Sequence, residues 1–342
     1  DQGDTGAENT EAHITLTLCL KGTDTGNNTR IGQSGGKQIA SRSEDDETED
    51  PGTEMENSID FSKFHVVFYQ ANQQMAGILQ NMVLVHLGGN IYRLTGSLPV
   101  SNKVLVGNHF EGKMVVYANF NMSEDDLQKS YNDTGIAQKS FDYEANPKYL
   151  PMWGVKNVSF TLTAGKRQDF SDIDLLRAVA KVRVSLSSKM KSDGWSIYSM
   201  QLFNYNNKGN CMPKKYAECE QTASLTHEDF ENFYDSKQTG GITMTENVPI
   251  YLPEYQNTGK KEADRCVIKL KLKLNENVEN NEKEYTLRFI DYTDSGAEGT
   301  TVNDIVRDHY YTFEVYKDSN GKNLVKLTVR KWKVLEHEEI VM

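Results

Sequence analysis

The eight residues Val267-Ile-Lys-Leu-Lys-Leu-Lys-Leu274 alternate apolar and basic side chains almost without a break. A period of two suits a strand, whose successive side chains point to opposite faces, and does not suit a helix. The same period recurs along the chain. Residues 13–20 place Ile14, Leu16, Leu18 and Leu20 on one face and His13, Thr15, Thr17 and Cys19 on the other. Val158–Thr163 alternates in the same way. Arg177–Leu186 sets Ala178, Ala180, Val182, Val184 and Leu186 against Arg177, Lys181, Arg183 and Ser185. Phe64–Tyr69 and Lys113–Phe120 are compact apolar runs. Tyr310–Tyr316 and Val325–Trp332 end the series, joined by Asn320-Gly321, a dipeptide that accepts positive φ at both turn positions. Helix signals are short: Ser123 can cap Glu124–Leu127, and Thr226 can cap Glu228–Tyr234. Many one-sided strands with a few short helices predict an all-β chain of antiparallel β-sandwiches.

Length and composition narrow the class. A chain of 342 residues suits two domains, and 37% hydrophobic residues suffice for packed cores. The excess of 49 acidic over 38 basic side chains argues against a nucleic-acid binder. The polar stretch 165–174 separates two strand-rich halves and predicts domains 1–168 and 169–342. Residues 21–58 are polar, with acids clustered at 44–50, and predict a mobile exposed loop. No run of 18 apolar residues is present to cross a membrane as a helix. The start at Asp1 fits an exported protein whose leader has been removed.

The search for reactive chemistry gives no positive signal. The seven histidines form no H-E-x-x-H or paired metal spacing, and Cys19, Cys211, Cys219 and Cys266 form no C-x-x-C. Nucleophile-elbow, phosphate-loop and dinucleotide fingerprints are missing. The expectation is no catalytic residue, no metal and no cofactor. Cys211 and Cys219 are close enough for a local disulfide, with buried thiols as the alternative. Asp318-Ser-Asn-Gly321 resembles the start of a calcium loop but lacks the downstream Glu and fits a hairpin turn better. Trp153, Trp195 and Trp332 are too far apart in sequence to read as one sugar-stacking platform.

The arrangement at the N-terminus suggests a function. A strongly apolar strand precedes a soft loop containing Arg30 and Arg42. Cleavage after Arg42 would free that strand. Its departure would leave an open sheet edge and empty apolar sites, a template for a strand from another molecule.

The chain resembles the Bacteroidales fimbrillin family, the subunits of type V pili. The resemblance spans nearly the whole length. It rests on the strand Ile14–Leu20, the Arg42-Ser-Glu-Asp-Asp loop, Leu150-Pro-Met-Trp-Gly154, Leu176-Arg-Ala-Val-Ala-Lys-Val182, Val248-Pro-Ile-Tyr-Leu-Pro-Glu254, Ile305-Val-Arg-Asp-His-Tyr-Tyr-Thr-Phe313 and Leu327-Thr-Val-Arg-Lys-Trp332. It implies two transthyretin-like β-sandwiches in tandem, export as a lipoprotein and delivery to the outer membrane. It implies trimming by an Arg-specific protease, matched here by Arg42 with Arg30 as the alternative. It also implies polymerisation with other pilus subunits through a C-terminal donor strand, here Trp332, Val334, Ile340 and Met342. Glu336 and Glu338 interrupt the apolar alternation of that tail. The alternative reading is a tip adhesin or a glycan-binding surface lipoprotein, with a host or bacterial surface receptor as partner.

Overall fold

A computed structural model describes residues 11–19, 53–88, 91–99, 105, 109–275, 277–278, 284–293 and 295–331. The first half carries β1 (Glu11–Cys19), β2 (Phe64–Gln70), β3 (Met75–Ile78), β4 (Gln80–Gly88), β5 (Ile91–Pro99), β6 (His109–Ala118), β7 (Ser140–Asp142), β8 (Met152–Thr161), β9 (Arg167–Asp169), β10 (Ile173–Asp174) and β11 (Leu176–Arg177). The second half carries β12 (Ala180–Leu186), β13 (Trp195–Phe203), β14 (Tyr205–Asn206), β15 (Lys208–Asn210), β16 (Lys237–Gln238), β17 (Ile242–Thr243), β18 (Ile250–Leu252), β19 (Val267–Leu274), β20 (Asn277–Val278), β21 (Tyr285–Arg288), β22 (Ile290–Tyr292), β23 (Glu298–Val302), β24 (His309–Lys317) and β25 (Asn323–Lys331). The helices are single turns or little more: α1 (Glu54–Asn57), α2 (Glu124–Gln128), α3 (Ser188–Ser192) and α4 (His227–Phe230).

Two pairs of sheets enclose two cores. In the first sandwich a sheet ordered β10-β1-β5-β4, with β9 also on β1, faces a sheet ordered β11-β8-β6-β2-β3. Between them lie Ile14, Leu16, Leu94, Phe68, Met114 and Phe160. Phe68 meets Phe110 and Phe160 edge-on, at 6.2 and 6.0 Å between ring centres. In the second sandwich a sheet ordered β18-β12-β24-β25 faces one ordered β17-β13-β19-β20, with β21 also on β19. The alternating strand β19 sends Ile268, Leu270 and Leu272 into this core and keeps its lysines partly exposed.

A third apolar cluster explains why some strands lack alternation. The outer face of β2, β6 and β8 carries Tyr69, Tyr117 and Trp153, and Cys211, Met212, Tyr216 and Phe230 from the second half cover it. Strand β6 is therefore buried on both faces over Met114–Tyr117, which matches its continuous apolar run. The same cover brings parts of both halves into contact.

Several expectations change. The strand expected over Arg177–Leu186 is broken at Ala178-Val179: β11 joins the first sandwich and β12 the second. Arg177 and Lys181, expected on a wet face, are both buried. Strands β9 to β11 follow Gly165 yet pair with sheets of the first sandwich, so sheet membership changes between Arg177 and Ala180. The expected loop 21–58 ends earlier, because Thr53 caps α1 in a capping box with Glu56. In the β24–β25 hairpin only Gly321 has positive φ, 75°. There Asp318 Oδ1 accepts from the Asn320 and Lys322 amides, both at 2.8 Å, and this side-chain cap replaces the two-residue turn. Helix α4 stops at Phe230, short of Tyr234. Cys211, Cys219 and Cys266 are free and buried, so the local disulfide is not formed, and burial pushes each thiol above its ordinary range.

Candidate strand-exchange site

Strand β1 is antiparallel to β5 in unbroken register, from Glu11↔Pro99 to Cys19↔Ile91. Its other edge is parallel to β9, with His13↔Arg167, and to β10, with Leu18↔Ile173. The Phe170 amide adds a bond to the Thr15 carbonyl at 3.0 Å. Both edges of β1 are thus paired. Ala12, Ile14, Leu16 and Leu18 point inward, each at most 1% exposed. His13 is exposed, and Thr15 and Thr17 are half-buried on the outer face.

The two walls flanking β1 have other attachments. Strand β5 is paired on its far side with β4. The β9–β10 segment is tied to β8: Lys156 Nζ donates to the Asp172 carbonyl at 2.8 Å and to Ser171 Oγ. At Gly154 of β8 a Cβ would come within 2.4 Å of the Asp174 carbonyl, so only glycine lets the two segments approach this closely. The walls are two strand spacings apart, a slot of roughly 9–10 Å that takes one strand. Ile14, Leu16 and Leu18 together contribute about 5–9 kcal/mol by burial, comparable with the entire stability of a typical domain. An unoccupied slot would therefore be strongly disfavoured.

Downstream, the chain is fastened before β2 begins. Glu56 of α1 is fully buried, and its Oε1 accepts from Lys181 Nζ at 2.8 Å and Tyr251 Oη at 2.5 Å. Arg177 donates from Nε to the Glu56 carbonyl at 3.1 Å and from Nη2 to Asn57 Oδ1 at 2.7 Å, and its Nη1 lies 3.5 Å from Asp308. A second buried pair joins Arg307 to Glu254, 2.8 and 3.0 Å, and Arg307 also donates to the carbonyls of Cys211 and Asn210. Each ion is paired and hydrogen-bonded, as burial requires. Nearby, burial pushes the Glu231 carboxyl up to about 7, and the carboxylates of Asp304 and Glu254 add to the effect.

Of the residues singled out from sequence, Ile14, Leu16 and Leu18 converge in the first core. Leu20, Arg30, Arg42, Trp332, Val334, Ile340 and Met342 lie outside the described residues. Sequence reasoning missed the β9–β10 wall, which falls in the polar stretch; Ile173, Leu175 and Leu176 are the apolar signal there. It also missed what three quoted segments have in common. Arg177 and Lys181, Tyr251 and Glu254, and Arg307 and Asp308 all meet where the sandwiches join. Trp153 is buried in the third cluster, and Trp195 packs against the second core under Lys317 Nζ at 4.1 Å, so these two form no joint platform. Among the described residues no group of three or more His, Cys, Asp or Glu side chains is placed to hold a metal ion.

The family model for fimbrillin-A associated anchor proteins Mfa1 and Mfa2 matches residues 43–338. The chain belongs to that family. The anchor family is one of fimbrial proteins rather than enzymes, and it implies a cell-surface fimbrium as the location. A search of curated proteins gave no match. Solved structures share the fold. A fimbrial assembly protein from Parabacteroides distasonis has a TM-score of 0.54 at 14% identity, covering 94% of this chain and 96% of that one. The tip fimbrial protein Mfa3 from Porphyromonas gingivalis has a TM-score of 0.54 at 13% identity, covering 94% and 100%. A fimbrilin, FimA, from the same species has a TM-score of 0.50 at 12% identity, covering 95% and 99%. This member of the anchor family therefore has the double β-sandwich of fimbrial proteins.

Proposed function

We propose that the protein is a non-catalytic structural subunit of a fimbrium, exported as a lipoprotein, whose β1 is a replaceable strand. In this reading an Arg-specific protease cuts after Arg42, with Arg30 as the secondary position. The released strand vacates the slot between β5 and β9–β10, and a donor strand of another subunit fills it. The chain's own donor would be the tail that includes Trp332, Val334, Ile340 and Met342. One observation carries the reading: β1 is sandwiched between two walls that have their own attachments, so its departure leaves a shaped slot and not a collapsed sheet. The family match over residues 43–338 supports the structural fimbrial role.

A second reading follows from the family description, which names anchor proteins. In an anchor at the base of the fibre, β1 stays in place and the subunit joins one neighbour only. Digestion of the full chain with an Arg-specific protease separates the two. Strand exchange predicts loss of residues 1–42 by intact mass, followed by oligomers on size-exclusion chromatography, both abolished by Arg42→Ala. A chain that is nicked at Arg42 yet retains the β1 peptide and stays monomeric rejects exchange and leaves the anchor reading.

A further inference from the structure

Strand β1 turns four side chains inward, Ala12, Ile14, Leu16 and Leu18, all of them buried. They define what a replacement strand must present, because the two walls fix its backbone. Strand β5 holds it antiparallel, with Ala12 opposite Leu98 and Leu18 opposite Tyr92, and β9 and β10 hold it parallel. Only every second side chain of a strand faces the core, so the slot reads residues i, i+2, i+4 and i+6 of its occupant. The last three positions take branched apolar side chains. The first takes Ala12, which is fully enclosed, and a larger side chain there would have to push its neighbours apart.

The core behind these positions is not built to receive a charge. Phe68, Leu94, Met114 and Phe160 belong to it. Among the described residues the buried lysine and arginine side chains are Arg177, Lys181 and Arg307. All three are engaged at the junction of the sandwiches, with Asp308, Glu56 and Glu254 respectively. A carboxylate entering the slot would have to bind a proton first. For a glutamate of ordinary pKa, about 4.3, that means a loss of roughly 500-fold in affinity at pH 7.

Residues 332–342 do not meet these requirements. Laid over the four positions with even-numbered side chains inward, they bring in both Glu336 and Glu338 in every register. With odd-numbered side chains inward, they bring in His337 and Glu339 in every register. Resting on the strand-exchange reading, we propose that the strand which takes the place of β1 comes from a different subunit and not from residues 332–342 of a second copy. That strand carries four uncharged apolar side chains at alternate positions, the first of them small. Residues 332–342 of a second copy are a weak occupant, which a matched strand displaces.

The test uses the full chain after cleavage at Arg42, with the fragment 1–42 still seated in the slot. Synthetic peptides compete for the slot, and size-exclusion chromatography with intact mass reads the fragment released. A peptide of residues 11–19 shows whether exchange occurs at all. The decisive pair is the peptide 332–342 as it stands and the same peptide with Glu336→Val and Glu338→Val, whose even-numbered face is wholly apolar. The substituted peptide should release the fragment at a concentration at least about 100-fold lower than the native one. It should also disperse any oligomers that the cleaved chain forms alone. Equal potency of the two peptides overturns the proposal and leaves strand exchange standing, as do oligomers that resist the substituted peptide. Failure of the substituted peptide where residues 11–19 succeed overturns it as well. If residues 11–19 release nothing, β1 does not exchange, and the strand-exchange reading falls together with this one.

Discussion

Leu16→Ala tests the central argument, because its effect should depend on whether β1 is present. Leu16 sits at the middle of β1, 1% exposed, opposite Leu94 in the β1–β5 register. Truncation removes about three methylene equivalents at about 0.8 kcal/mol each. The cavity left behind raises the total to about 2–5 kcal/mol. In the uncleaved chain this should lower the urea midpoint of the first sandwich by about 1–2 M for an ordinary m-value. Thr15→Ala, on the outer face, should change stability by no more than about 0.5 kcal/mol. The same measurement is then repeated after Arg-specific cleavage and removal of the released peptide. If exchange has taken place, another strand fills the slot, and wild type and Leu16→Ala become indistinguishable. A deficit that survives cleavage means that β1 never left. A midpoint unchanged in the intact chain would refute the packing argument itself.

Two further outcomes follow from the buried charges. Lys181→Met leaves the Glu56 carboxylate without its cation at a site that is fully buried, which should cost about 3–5 kcal/mol. Glu56→Gln in the same chain should restore part of that loss, and a chemical-denaturation double-mutant cycle reads the coupling. At Glu231 the carboxyl is raised from 4.5 to about 7, so its contribution to stability is fully present below pH 4.5 and is lost as pH rises through about 7. Glu231→Gln should therefore melt progressively higher relative to wild type as pH is raised across that window; parallel melting curves from pH 4 to 8 would show that the carboxyl is not perturbed.

Much of the fold was legible because alternation is a local property. The side chains of β1 and β19 sort onto two faces by backbone geometry alone, and Ile14, Leu16 and Leu18 do lie in a core as their spacing predicts. The double β-sandwich follows from many such strands. What misled was polarity taken as exposure. Arg177 and Lys181 read as a solvated face, yet both are buried against α1, more than 120 residues earlier in the chain. No local pattern encodes that partner. The hairpin after β24 shows the same limit on a smaller scale, since Asp318 and not a second positive φ closes it.

The amino-acid order alone marked the long alternating strands, such as β1 and β19, and which face of each is apolar, since both depend on neighbours two positions apart. Only the tertiary structure decided that β1 has a wall on each side. The β9–β10 wall consists of pieces two or three residues long, pairs in parallel with a strand about 150 positions away, and is held by Lys156 and the absence of a side chain at Gly154. Such pairings depend on through-space contacts among segments that carry almost no pattern of their own.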